Sequence, residues 1–345
     1  MKITLLLTST CLATMLASPA AAQQTLTIAT YGGEWGAAMQ ACIIDPFTKE
    51  TGIRVIPEPG ISGVTLSKLR QQKDSPTLDV VWLDGGVSEV AAKDNLLHPL
   101  TADALPNLNQ LLPEAVYKDE DDAIFALGTG FYSLGLAYNT EQVKLAPSSW
   151  LDMRNPDYAG SITFPSPANA MGVPFLAQLA ELDGHTLTDM DTTFNDLKKL
   201  NVVSYFDTAG AGTNLFQSRE AVIGAHYSNS TYAMSDQKLP IAFVVPKEGA
   251  IGGDIRLHVV SNGKKIAEAE QFVNFAVGVT PSECMAERIY VGPSNSKAVI
   301  SDEALKRMPW GEDGSIKNLN LPNWNNINEN RAMIIEKFNK LVIAK

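Results

Sequence analysis

Short apolar runs alternate with longer amphipathic ones along this chain. In "TLTIAT", Leu26 and Ile28 alternate with threonines, the period-two pattern of a strand. "GAAMQACIIDPFTKETG" spaces its apolar residues for a helix that stops near Gly52. "RVIPEPG" predicts a second strand and "GVTLSKLRQQ" a second helix, entered through Gly60-Ile61-Ser62-Gly63. "LDVVWLD" is apolar without alternation, as expected of a strand buried on both faces of a parallel sheet. "GVSEVAAKDN" predicts the helix after it. Strand and helix in this rhythm predict an open α/β sheet. Such sheets bind ligands at the carboxyl ends of their strands. The Tyr31–Trp35 loop, the Ser62 loop and Asp84-Gly85-Gly86 fall on that edge.

The pattern changes at "AIFALGTGFYSLGLAYNT", where two apolar strands with glycines suit a crossing between lobes. A second series follows. "GSITFPSPANAMGVPFLAQLAEL" predicts strand, loop and helix; "VVSYFD", "AVIGAHYSNS" and "IAFVVPKEG" predict further strands and edge loops. "DIRLHVVSNGKK" suits a return crossing, "AEAEQFVNFAVGV" a helix, and "NWNNINENRAMIIEKFNKLVIA" a terminal helix. With no internal repeat and no low-complexity linker, a chain that leaves one lobe and later returns fits better than two domains in series.

The first 22 residues predict an export signal: Lys2, an apolar run from Ile3 to Leu16 too short to span a bilayer, and small residues up to Ala22. Cys11 would leave with it. Cys42 and Cys284 would remain in an oxidising compartment, as one disulfide or as two buried thiols. The rest, about 320 of 345 residues, is long for a single core and suits two domains. A net charge of -11 argues against nucleic acid and anionic membrane as partners, and is compatible with a cationic ligand.

The chain resembles periplasmic solute-binding proteins of ABC importers, in the two-lobed class of the spermidine/putrescine binders. The opening strand with its aromatic loop, "LDVVWLD", "GLAYNTEQVKLAPSSWLDMRNPDYAGSITFPSP", "VVPKEGA" and "NWNNINENRAMIIEKFNKL" carry the likeness. It implies the type II periplasmic binding protein fold: two Rossmann-like α/β lobes joined by a hinge, with the ligand in the cleft. Residues 1–22 would be the signal, 23–130 plus about 256–300 the first lobe, and about 131–255 plus about 301–345 the second. It further implies a periplasmic monomer that delivers a small molecule to an inner-membrane ABC permease, with no cofactor or resident metal. Hinge positions would lie near Gly128–Gly135 and Val245–Leu257.

Candidate ligand contacts follow from residue chemistry and this likeness together. Tyr31 and Trp35 would stack on an ammonium or its methylene chain, or pack the rim. Ser62 and Asn169 each precede a helix, placed for an anion or as ordinary caps. Asp84 would pair with an amine or cap the next helix. Asp254 would do the same from across the cleft, though it fits the family's acidic position only after a one-residue shift. Tyr227 and Asn229 stand on the second lobe's edge, and Tyr132 at the crossing. Arg256 would clamp a carboxylate or form an internal salt bridge. The family's acidic residues near Ala168-Asn169-Ala170 are absent here, and so is its Trp after "PKEG". Mixed acidic, aromatic and helix-terminal chemistry favours a short amine or zwitterion: a polyamine, a γ-aminobutyrate-like amino acid or an aminophosphonate.

Two other classes are weighed. A ferric-binding protein would want closely spaced tyrosines, whereas Tyr227 and Tyr232 stand apart and the chain has only 4 histidines. An enzyme would want a nucleophile elbow, a His-Glu-x-x-His helix or a phosphate loop, and the sequence contains none. The expectation is a binding protein without catalysis.

Overall fold

The computed structural model describes residues 23–312 and 314–344. The apolar segment read as an export signal, with Cys11, lies outside them.

The first lobe opens with β1 (Thr25–Thr30), α1 (Gly33–Met39), α2 (Asp45–Thr51), β2 (Arg54–Pro59), α3 (Ser62–Gln71), β3 (Val80–Asp84) and α4 (Val87–Lys93). The single helix expected over the segment after β1 is interrupted by a π-helical stretch, Gln40–Ile44. Pro46 is the physical reason. It has no N–H to donate to the Cys42 carbonyl, and its ring crowds that carbonyl, so the turn widens.

After β4 (Val116–Lys118) comes β5 (Ile124–Asn139), one strand of 16 residues where the sequence suggested two. Its glycines do not break it. They admit neighbours: a Cβ on Gly135 would stand 2.4 Å from the Phe243 ring. The second lobe holds β6 (Ile162–Pro165), α5 (Gly172–Leu182), α6 (Asp191–Lys199), β7 (Ser204–Phe206), α7 (Ala209–Gln217) and β8 (Ile223–Tyr227). α8 (Ser228–Asp236) replaces the edge loop expected after Tyr227, and β9 (Ile241–Val244) follows. The return crossing is β10 (Ala250–Val259), then α9 (Ile266–Ala276), α10 (Val279–Ile289), α11 (Asp302–Leu305), β11 (Leu319–Asn320) and α12 (Trp324–Phe338).

One sheet runs through both lobes in the order β2-β1-β3-β10-β5-β8-β6-β7. β1, β2 and β3 are parallel, as are β6, β7 and β8, whereas β5 and β10 run antiparallel to their neighbours on that path. The two crossing strands therefore lie side by side at the centre, where a hinge between two α/β halves has to be.

Each half has its own aromatic core. Phe272 meets Phe47 at 4.9 Å and Trp82 at 5.7 Å between ring centroids; Phe175 meets Phe164 at 5.0 Å and Trp150 at 5.5 Å. Burying each such ring contributes roughly 1.5–3 kcal/mol. Cys42, in the π-helical stretch, is bonded to Cys284 on α10, with the Cα atoms 5.5 Å apart. α12 ends against the second half: Phe338 packs on Phe194 and Tyr205, and Lys337 pairs with Asp191 at 2.7 Å. Among the described residues no helix is long and apolar enough to cross a membrane.

Candidate solute-binding site

β1 and β3 pair in parallel, Ile28 opposite Val80, so their carboxyl ends emerge together. Tyr31 and Asp84 are thereby neighbours. The Gly60 N–H donates to the Thr30 carbonyl at 2.8 Å and delivers the start of α3 to the same edge. Ser62 does not cap that helix. Its hydroxyl donates to Asp84 Oδ2 at 2.7 Å, accepts from the Asp84 N–H at 2.9 Å and lies 3.1 Å from the Tyr31 hydroxyl. Tyr132, on β5, donates to Asp84 Oδ1 at 3.4 Å. Nor does Asp84 cap α4, because Glu89 accepts the Gly86 N–H there at 2.6 Å.

Aromatic rings continue the wall across the crossing. Trp35 meets Tyr132 edge-on at 6.0 Å, and Tyr132 meets Tyr227 at 5.6 Å. The Tyr227 hydroxyl donates to Asn169 Oδ1 at 2.6 Å, and Asn169 Nδ2 donates to the Asp207 carbonyl at 3.1 Å. Asn229 is buried in the first turn of α8, and its Oδ1 has no hydrogen-bond partner among the described residues. Tyr31, Trp35, Ser62, Asp84, Tyr132, Tyr227 and Asn169 thus form one connected set of contacts.

Asp254 has a different partner. Arg256 donates to both of its oxygens, from Nε at 2.8 Å and Nη2 at 3.3 Å, and also pairs with Glu89. The guanidinium lies 3.5 Å over the Tyr117 ring. Residues two apart share a strand face, which brings Asp254 and Arg256 together. The structure therefore makes Arg256 an internal salt bridge that engages both oxygens of a buried Asp254. The missing Trp after "PKEG" also has a structural counterpart: a Cβ on Gly253 would stand 2.4 Å from the Tyr132 ring, which fills that space from β5.

The electrostatics separate the two carboxylates. Asp84 keeps part of its surface open but has no ion-pair partner among the described residues. Burial holds its carboxyl above the ordinary value, although hydrogen bonds from Ser62, Tyr31 and Tyr132 act the other way. Burial, then the charge of Asp84, pushes the Tyr31 and Tyr132 hydroxyls well up, so both stay protonated donors. Burial opposes the charge on Arg256, but Asp254, Tyr117 and Glu89 together more than reverse that. A group like Asp84, rich in hydroxyl donors and lacking a cation, is suited to an ammonium that arrives from outside.

Glu34 was not singled out from the sequence, although it sits between two of the aromatic candidates in "YGGEW". Burial, then the charge of Asp236 across the cleft, raises its carboxyl. Glu34, Asn229, Asp236, Arg288 and Tyr290 line a cavity of about 250 Å³ beside the aromatic wall. A larger one of about 390 Å³ lies between α5 and the start of α12, away from this chemistry, so its size does not make it the better site.

Two α/β halves that share crossing strands and enclose a carboxylate ringed by aromatic rings define a bilobal solute-binding protein. The model of the bacterial extracellular solute-binding protein family matches residues 75–330, and the chain belongs to that family. It is 27% identical over 305 residues to the spermidine/putrescine-binding periplasmic protein of Escherichia coli (strain K12), covering 82% of this chain and 86% of that one. It is 22% identical to a putative 2-aminoethylphosphonate-binding periplasmic protein of Salmonella typhimurium, covering 86% of each. A solved extracellular solute-binding protein from Bordetella parapertussis superposes with a TM-score of 0.78 at 21% identity, covering 93% of this chain and 100% of that chain. The Atu4243 GABA receptor superposes with a TM-score of 0.77 at 22% identity, covering 91% and 96%. These superpositions establish the two-lobed type II fold.

Proposed function

We propose that this protein captures a small amine-bearing solute in the interlobe cleft of the periplasm and passes it to an inner-membrane ABC permease. The observation that carries this reading is Asp84: a carboxylate held by Ser62 and Tyr132, next to Tyr31, with no cation beside it among the described residues. An ammonium would supply the missing charge, and Trp35, Tyr132 and Tyr227 would cover its methylene groups. Relatives named for spermidine, putrescine and 2-aminoethylphosphonate support an amine as the common element. Tyr31, Trp35, Ser62, Asp84, Tyr132, Asn169, Tyr227 and Asn229 are the proposed contacts. Asp254 acts behind them, by holding Arg256. The first lobe is centred on β1–β3 and the second on β6–β8, with the hinge in β5 and β10 between them. The cycle is binding, closure and release of unchanged solute by a monomer, with no covalent step and no nucleic acid. Residues 1–22 serve as its export signal.

A thermal-shift screen of residues 23–345 against polyamines, γ-aminobutyrate, aminophosphonates, sugars and ferric citrate tests this. A solute that binds the folded state at a hundredfold excess over its Kd adds roughly 2.7 kcal/mol of stability. One amine shifting the Tm strongly supports the reading. A sugar or iron complex doing so while no amine does would overturn it.

A further inference from the structure

The Asp84-Gly85-Gly86 turn carries the cluster's carboxylate, and the first turns of α12 lie directly upon it. Trp324 is 6% exposed. A Cβ added to Gly85 would stand 2.3 Å from the indole Nε1, and one on Gly86 2.8 Å from the indole Cε3. The ring therefore occupies the volume that two side chains would otherwise fill. Asn328 Nδ2 donates to the Gly86 carbonyl at 2.8 Å, and Arg331 Nη2 lies 3.4 Å from the same Gly86 Cβ position. Trp324, Asn328 and Arg331 recur at i, i+4 and i+7, so they form one stripe along the helix. The far end of α12 is fixed to the other lobe through Phe338 and Lys337. A helix anchored in the second lobe thus touches the first lobe at the residue following Asp84.

We propose that Trp324 is a positioning residue: seated on Gly85 and Gly86, it fixes the Asp84 turn and couples occupation of Asp84 to closure of the lobes. The inference rests on Asp84 being the solute's carboxylate. A solute shifts a conformational equilibrium only through different affinities for the two states. A contact made with the lobes together, one residue from the group that binds the ammonium, supplies such a difference. The glycine pair is what makes it possible, since any side chain at position 85 would displace the indole. Gly85 itself has no left-handed backbone requirement, so alanine there tests the seat without straining the turn.

The test is a cycle of four proteins: wild type, Gly85→Ala, Trp324→Ala and the double variant. Each is titrated calorimetrically with putrescine and with γ-aminobutyrate and melted without either. Each single change should weaken binding of the accepted probe by about 3- to 30-fold, the scale of coupling between residues in contact. The double variant should bind no more weakly than Trp324→Ala, because alanine at 85 does harm only while the indole is present. Single variants that melt early yet bind as tightly as wild type would overturn the proposal and leave Trp324 a packing residue. If wild type binds neither probe, the amine reading fails for these solutes and the melts decide the contact. Non-additive losses support the seat; additive ones overturn it.

Discussion

Two aspartates on adjacent strands have opposite surroundings. Asp84 closes β3 and stands opposite Ile255 of β10, the residue after Asp254. Asp254 meets a guanidinium through both oxygens; among the described residues the Asp84 carboxylate accepts only from hydroxyl groups. Burial penalises a lone charge, and a partner within the fold offsets that penalty. One carboxylate is therefore neutralised inside the sheet, and the other has no cation among the described residues, which is what the proposed solute contact rests on. The lesson is that an acidic residue at a strand edge says little until its counter-ion is located.

The largest change should come from Arg256→Leu. The Arg256 and Asp254 side chains are only 3% and 5% exposed, and the change leaves Asp254 and Glu89 without their cation. We expect a loss of about 3–5 kcal/mol by urea unfolding. Asp84→Asn should divide the pair the other way. It removes a charged hydrogen bond worth about 1.5–3 kcal/mol to an ammonium, so amine affinity measured by calorimetry should fall by about 10- to 100-fold. The solute-free Tm should stay level or rise. A large fall in Tm with unchanged affinity would make the two aspartates alike and break the comparison.

pH sharpens the contrast. The Asp84 carboxyl is raised on folding, so its contribution to stability is present below the unfolded value of about 3.9 and is lost as pH rises through the folded one. As pH rises across that interval the wild type should lose stability relative to Asp84→Asn, whose residue 84 does not titrate, while amine affinity of the wild type rises. A flat difference in pH-dependent melts would mean that Asp84 is not raised. The smallest effect belongs to Tyr132→Phe. It deletes one long hydrogen bond to Asp84 but keeps the ring, so affinity should drop by about 1 kcal/mol or less.

Much of this arrangement was legible beforehand. The strand and helix periods placed Tyr31, Ser62 and Asp84 on one edge, and parallel pairing of β1 with β3 makes that edge real. The roles were harder. Ser62 and Asp84 both resemble helix caps in sequence, and only the distance between them shows that they bond each other instead. Asp254 and Arg256 at i and i+2 did carry a signal, since a strand puts them on one face, and the same spacing could have exposed the salt bridge. Glu34 could not be ranked, because its environment depends on Asp236, 202 positions away and in the other lobe.

What the sequence determined by itself is the set of local elements and their edge loops, because hydrophobic period and turn residues act over a few neighbours. The tertiary structure decided which polar groups are satisfied and which remain open. It also decided that glycines at 85, 86 and 253 would be filled by Trp324 and Tyr132. Those outcomes depend on which side chains from distant segments share a small volume, and that is settled only when the sheet closes and the lobes meet.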